Sequence, residues 1–191
     1  RAVDFHGAER MVRINQGERG LEDLEWLVPH GVQLVLIPKV EDSDQIRAVD
    51  QRIAAISQRI GRTEPVWLMP IVESALGALR ALELATASPS ITSLAIGLED
   101  YTADLGVQRT NQGTESFWMR GQVINAARAA GIQPIDTVFS DVSDQEGLRA
   151  SVLEAKALGF DGKGCIHPRQ IAVVNGAFAP TQAQIDKARR I

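Results

Sequence analysis

Val66-Trp67-Leu68-Met69-Pro70-Ile71-Val72-Glu73-Ser74 and Ser93-Leu94-Ala95-Ile96-Gly97-Leu98-Glu99-Asp100 decide how this chain is read. Each is a short, nearly continuous apolar run that ends in a carboxylate. A strand covered on one face alternates apolar with polar residues; a strand covered on both faces does not. Between the two runs, Glu73–Ala85 is rich in Ala and Leu, with Leu76, Leu79 and Leu82 on neighbouring helical positions. Buried strand, helix, buried strand is the signature of a parallel βαβ unit.

The same unit repeats outward. Six strands are predicted, at Met11–Ile14, Gln33–Ile37, Val66–Val72, Ser93–Ile96, Ile132–Val138 and Gly162–Ile166. The clearest helix runs from Ser43 to Ile60. Ile46, Val49, Ile53, Ile56 and Ile60 fall at steps of three and four, forming one apolar stripe. Gly61 supplies the stop. Thr114–Ala130 and Asp144–Leu158 are further helices, ended by Gly131 and Gly159. A short helix is expected at Pro168–Val174, and Thr181 with Gln184 opens a last one as a capping box. No linker or low-complexity segment interrupts the pattern, so a single domain over 1–191 is expected. The alternation fits either a doubly wound sheet or a (βα)8 barrel. The glycine fingerprint of a dinucleotide site, G-x-G-x-x-G, is absent, which disfavours a nicotinamide oxidoreductase.

Composition narrows the classes. Of 191 residues, 45% are hydrophobic and 23% charged, which excludes a disordered tail, a collagen-like repeat and a coiled coil. The formal charge is -4, from 24 acidic and 20 basic residues with no basic run, so no nucleic acid and no membrane partner is expected. The one cysteine, Cys165, has no internal partner, which favours a reducing, cytoplasmic setting. No apolar run approaches the roughly 20 residues needed to span a bilayer. The start, Arg1-Ala2-Val3-Asp4, reads as neither an initiator methionine nor a signal peptide.

α/β folds place chemistry at the carboxyl ends of strands. There the sequence sets Arg13 and Asn15, Lys39 and Glu41, Glu73, Glu99 and Asp100, Asp136 and Asp141, and His167. Glu73 and Asp100 stand 27 positions apart, each just past an apolar strand in consecutive βα units. On neighbouring strands they would converge. Two carboxylates without a His or Cys cluster suit a hard cation with oxygen ligands, best Mg²⁺. The competing reading is two acids that merely meet helix N-terminal dipoles. Arg13, embedded between Val12 and Ile14, either clamps a substrate carboxylate or pairs with a structural acid such as Asp4 or Glu41. Three readings stay open for Lys39: contact with an anionic ligand, a Schiff-base amine, or a solvated rim residue. His167 reads as a hydrogen-bonded strand-end histidine and Cys165 as a core residue. Trp67 reads as packing, as do Trp26 and Trp118, with the alternative that one of the latter two lines a pocket. Gly159–Gly164 lacks the spacing of a phosphate loop and reads as a tight turn.

Together these residues resemble the citrate lyase beta subunit (citryl-CoA lyase) family within the HpcH/HpaI aldolase superfamily. The likeness is carried by Val12-Arg13-Ile14-Asn15, Pro38-Lys39, Val72-Glu73-Ser74-Ala75-Leu76-Gly77, Gly97-Leu98-Glu99-Asp100-Tyr101 and Gly113-Thr114-Glu115. It continues through Ala126–Gly131, Ile135–Val138, Gly159–Lys163, Ile166–Ile171 and Phe178-Ala179-Pro180. No single motif is specific; at these spacings the set is.

The resemblance implies a (βα)8 TIM barrel, here incomplete. The six strands would be strands 3 to 8, with the first two βα units and a C-terminal segment missing from the sequence. In the family that segment offers a catalytic aspartate to a neighbouring subunit. The implied reaction is the retro-Claisen cleavage of a citryl thioester, on CoA or an acyl carrier, to oxaloacetate and an acetyl thioester. Glu73 and Asp100 match the family's magnesium ligands, and Arg13 its carboxylate-binding arginine. Arg13, Glu73 and Asp100 form the expected catalytic set, and Arg13, Glu73 and Lys39 the expected substrate contacts. Asp136 and Glu41 are weak candidates for the general base. A homo-oligomer is expected, with other citrate lyase subunits as further partners. The alternatives are a malyl-CoA or citramalyl-CoA lyase, or a non-catalytic assembly subunit.

Overall fold

A computed structural model describes residues 4–190. Arg1, Ala2, Val3 and Ile191, and with them the reading of the chain start, lie outside the described residues. The chain forms two compact units, one running to Pro134 and the other from Ile135.

The first unit alternates strand and helix. It contains β1 (Met11–Arg13), α1 (Gly17–Leu27), β2 (Leu34–Ile37), α2 (Ser43–Ile60) and β3 (Trp67–Val72). It continues with α3 (Ala75–Leu79), α4 (Ala81–Ala85), β4 (Ser93–Ile96), α5 (Leu98–Asp104) and α6 (Phe117–Ala130). β1 to β4 pair in parallel, each with the next in sequence. A doubly wound sheet would reverse its strand order at a switch point; these four strands show no reversal. The core is the set of apolar strand residues sealed by helix stripes. Val35, Leu68 and Leu94 are buried beside Leu24, Ile46, Ile56, Leu84 and Met119.

α2 has the boundaries its periodicity predicts. Asp42 and Gln45 close a capping box at its start, and Gly61 ends it in the left-handed conformation at φ 69°. Ile46, Val49, Ile53 and Ile56 are buried, while Ile60 in the last turn is exposed.

Other expectations change. The single helix expected over Glu73–Ala85 is two short ones, broken at Arg80. Ser74 caps α3 by accepting from the Gly77 amide at 3.1 Å, and the Arg80 guanidinium donates to the Glu41 carbonyl at 3.0 Å. The buried face there is small, made of Gly77, Ala78, Ala81, Leu84 and Ala85, and Leu76, Leu79 and Leu82 face out. Residues 114–116 form a 3-10 turn before α6, which leaves Phe117 exposed. α1 and α5 are additional helices. α5 starts directly after Gly97 with an acidic first turn, and α1 starts at Gly17 after a short turn that ends at Gln16. Trp26 is 73% exposed, and Trp118 and Trp67 are also accessible, so none is a core residue.

β5 (Gln133–Asp136) crosses the boundary between the units. The second unit then holds α7 (Gln145–Leu158), β6 (Gly162–Lys163), α8 (Pro168–Phe178) and α9 (Gln182–Ala188). β5 and β6 are parallel, with Asp136 in register with Lys163. Leu148, Val152, Val174 and Ala177 form its core with Phe139 and Phe178 against them. β6 is shorter than the apolar run suggested, so Cys165 and Ile166 are exposed instead of core. The atoms around Cys165 still push its thiol upward, which leaves it unactivated. His167 caps α8, its Nδ1 accepting from the Arg169 amide at 3.1 Å.

Candidate active site

At the carboxyl ends of β1 to β4 a cleft of about 400 Å³ is lined by Arg13, Asn15, Gln16, Arg19, Pro38, Lys39, Glu73 and Asp100. Side chains alternate along a strand. Arg13 pairs in register with Leu36, Leu36 with Met69, and Ile71 with Ala95. Continuing that alternation past β3 and β4 brings Glu73 and Gly97 side by side, an arrangement fixed by the Gly97 amide donating to the Val72 carbonyl at 3.0 Å.

Glu73 is 6% exposed. Its Oε1 accepts from the backbone N–H of Lys39 at 2.7 Å. Its other oxygen lies where a side chain on Gly97 would stand: a Cβ there would come 3.0 Å from the Glu73 Cβ and closer still to Oε2. Glycine at position 97 therefore makes room for the carboxylate. Burial pushes the Glu73 carboxyl above its usual range, and the nearby Asp100 charge and hydrogen bond add to that, against the Lys39 amide. Asp100 stands in the first turn of α5 and is about half exposed.

Lys39 joins the two acids. Besides its amide contact with Glu73, its Nζ lies 3.0 Å from Asp100 Oδ1. That contact raises the ammonium pKa, chiefly through the hydrogen bond to Asp100. Among the described residues, Lys39 and His6 are the non-glycine residues with positive φ, 49° and 48°. A left-handed lysine costs about 1–2 kcal/mol, and such strain often sits at functional sites. Here the turn lets one residue address Glu73 with its backbone and Asp100 with its side chain.

Arg13 is exposed at the cleft, not buried as its apolar neighbours suggested, and its guanidinium has no ion-pair partner among the described residues. The reason is position: β1 is three residues long, paired on one side by β2. Neither Asp4 nor Glu41 meets it; Asp4 contacts His6, and the Glu41 amide donates to Gln45. The sequence reading passed over Arg19, a second arginine on the same cleft, four residues past Asn15. The β1–α1 turn that presents it is pinned by the Asn15 amide and side-chain amide, both 2.9 Å from Asp23 Oδ2.

Asp136 lies in the second unit. Its carboxylate meets Lys163 Nζ at 2.7 Å, with both side chains 1% exposed or less. A second hollow of about 450 Å³ lies at the opposite strand ends, near Arg10, Gln33, Arg62 and Trp67. Glu9 and Glu64 also line it, and Arg62 is engaged there by the carbonyls of Val28 and Val32 at 2.8 Å.

The carboxylate pair fits a hard divalent cation. Among the described residues no three His, Cys, Asp or Glu side chains cluster, so such an ion would keep positions open for water and substrate oxygens. In the structure the Lys39 ammonium stands against one acid of the pair, Asp100.

Residues 1–168 match the model of the HpcH/HpaI aldolase/citrate lyase family. The citrate lyase subunit beta of Escherichia coli (strain K12) is 39% identical over 98% of this chain and 63% of its own length. An L-malyl-CoA/beta-methylmalyl-CoA lyase of Cereibacter sphaeroides (strain ATCC 17025) is 36% identical over 82% of this chain and 55% of its own. The chain thus spans less than two thirds of these relatives. The solved citrate lyase beta subunit of M. tuberculosis, complexed with oxaloacetate and magnesium, superposes with a TM-score of 0.74 at 31% identity. That match covers 89% of this chain and 72% of the other.

Proposed function

Because this chain belongs to the HpcH/HpaI aldolase/citrate lyase family, we propose that its cleft holds magnesium and serves a carbon–carbon lyase acting on a citryl thioester. The observation that carries this reading is the convergence of Glu73, Asp100, Lys39, Arg13 and Arg19 in one cleft. Two carboxylates there can hold a divalent cation, and two arginines there can hold the carboxylates of a dicarboxylic product. The (βα)8 barrel is the fold proposed for the whole protein, supported by the unreversed parallel order of β1 to β4. The cytoplasm is the proposed setting; no described helix is long and apolar enough to cross a membrane.

The reaction is a retro-Claisen cleavage. The tertiary hydroxyl loses its proton, its oxygen becomes a ketone, and the bond to the thioester-bearing methylene breaks. The electron pair leaves on the thioester enolate, which gains a proton to give the acetyl thioester; the other product is oxaloacetate. Glu73 and Asp100 would bind the metal. When bound, magnesium supplies Lewis-acid stabilisation of the hydroxyl and its neighbouring carboxylate oxygen. Arg13 grips a substrate carboxylate through its planar fork and fixes the breaking bond's orientation. Arg19 reaches the second carboxylate that distinguishes oxaloacetate from a monocarboxylic oxo acid. Gly97 keeps Glu73 in place.

Two results test this reading. Full-length protein assayed with citryl-CoA, malyl-CoA and citramalyl-CoA should cleave citryl-CoA fastest. Cleavage of malyl-CoA alone would favour a malyl-CoA lyase, as the Cereibacter sphaeroides relative is named, and cleavage of none would favour an assembly subunit. Gly97→Ala should weaken magnesium binding about 10- to 100-fold by displacing Glu73, the loss expected when the surroundings of a ligand are disturbed. Unchanged affinity in a titration of the folded variant would remove Glu73 from the metal.

A further inference from the structure

We propose that Lys39 is a resident counter-ion of the Glu73–Asp100 pair, which the incoming divalent cation displaces toward the substrate. The inference rests on the metal reading above and goes beyond it by giving the metal-free and metal-bound cleft different lysine positions.

Three observations carry it. First, Lys39 Nζ sits 3.0 Å from Asp100 Oδ1, so the ammonium occupies one of the two oxygens through which Asp100 would hold a cation. Second, the Lys39 backbone N–H donates to Glu73 Oε1 at 2.7 Å. That contact spares Oε2, so the main chain can remain while the ammonium leaves. Third, the side chains of Lys39 and Asp100 are each 48% exposed. An exposed pair of this kind is weak and screened, which makes it easily displaced, whereas a divalent ion gains two carboxylates at once. The buried Asp136–Lys163 pair lacks this property.

The left-handed turn at Lys39 (φ 49°) explains how one residue does both. The turn anchors the amide on Glu73 and leaves the four-carbon stem free to swing about that anchor. Once displaced, the ammonium remains on the cleft wall that Lys39 shares with Arg13 and Arg19. There it meets substrate oxygens instead of Asp100. The lysine thus shields the acids from each other before loading and becomes a substrate contact afterwards.

The test is a calorimetric Mg²⁺ titration of full-length wild type, Lys39→Met and Lys39→Arg, with thermal unfolding of the metal-free proteins. Lys39→Met should bind Mg²⁺ about fivefold more tightly, the scale set by removing a weak competing ion pair. Lys39→Arg, which keeps the charge, should bind much as wild type does. Without metal, Lys39→Met should unfold at a lower temperature than wild type, and that difference should vanish in an Asp100→Asn background. A merely structural lysine would lower the temperature in both backgrounds. Mg²⁺ binding to wild type that Lys39→Met leaves equal or weaker would overturn the proposal while sparing the metal site. No Mg²⁺ binding to any of the proteins would overturn both.

Discussion

Glu73→Gln should lower thioester cleavage by at least about 10³-fold and abolish measurable Mg²⁺ binding while leaving the protein folded. The scale follows from the several kcal/mol that a bound metal supplies to a transition state, at about 1.4 kcal/mol per tenfold in rate. Glutamine keeps the shape beside Gly97 and can still accept from the Lys39 amide, so the lattice of contacts survives. Stability should move in the opposite direction from activity. The folded-state pKa of Glu73 lies above its ordinary value because of burial and Asp100. Protonated Glu73 therefore favours the fold; its contribution is full below the ordinary glutamate pKa and lost as pH rises through the raised one. At neutral pH the metal-free protein carries that penalty, and Glu73→Gln relieves it. Thermal unfolding of metal-free wild type and variant against pH should show wild type approaching the variant as pH falls toward about 4.5. A variant that unfolds earlier at neutral pH would contradict this account of Glu73.

Asp136→Ala should destabilise the protein by about 3–5 kcal/mol, the range for removing one partner of a buried ion pair. The Asp136 and Lys163 side chains are 0% and 1% exposed and meet at 2.7 Å. Without Asp136 the ammonium stays buried and loses its carboxylate. The expected loss is a large share of the 5–15 kcal/mol that typically holds a domain together. Replacing both residues with apolar ones, Asp136→Leu with Lys163→Met, should recover most of it, because the ammonium is then removed together with the carboxylate. Denaturant unfolding of the single and double variants separates the outcomes. A double variant as unstable as Asp136→Ala would mean that the pair contributes more than charge neutralisation.

The parts legible in the sequence are those where one physical signal dominates. Six strands were expected and six are present, with the nearly continuous apolar run Ser93–Ile96 matched to the residue and β6 reduced to Gly162–Lys163. The apolar stripe and the stop at Gly61 gave α2 likewise. Less was legible where signals compete. Leu76, Leu79 and Leu82 suggested a long helix with leucines inward, but the approach to the sheet favours the small residues Gly77, Ala78 and Ala81. α5 was hidden because its first turn is acidic, a property equally compatible with a loop.

The acids of the cleft could be picked out because each follows an apolar run at a strand end. The role of Lys39 could not, since it depends on a left-handed backbone at a residue with no glycine to announce it. Arg13 was misjudged as buried because sequence neighbours do not reveal how short and one-sided β1 is. Arg19 escaped notice because exposed arginines on helices are ordinary; only the adjoining cleft distinguishes it.

The most direct measurement is the rate at which full-length protein releases oxaloacetate from citryl-CoA, before and after chelation of divalent cations and on restoring Mg²⁺. If Glu73 and Asp100 hold the metal that assists cleavage, chelation should stop the release and Mg²⁺ restore it. An equal rate after chelation would contradict the account.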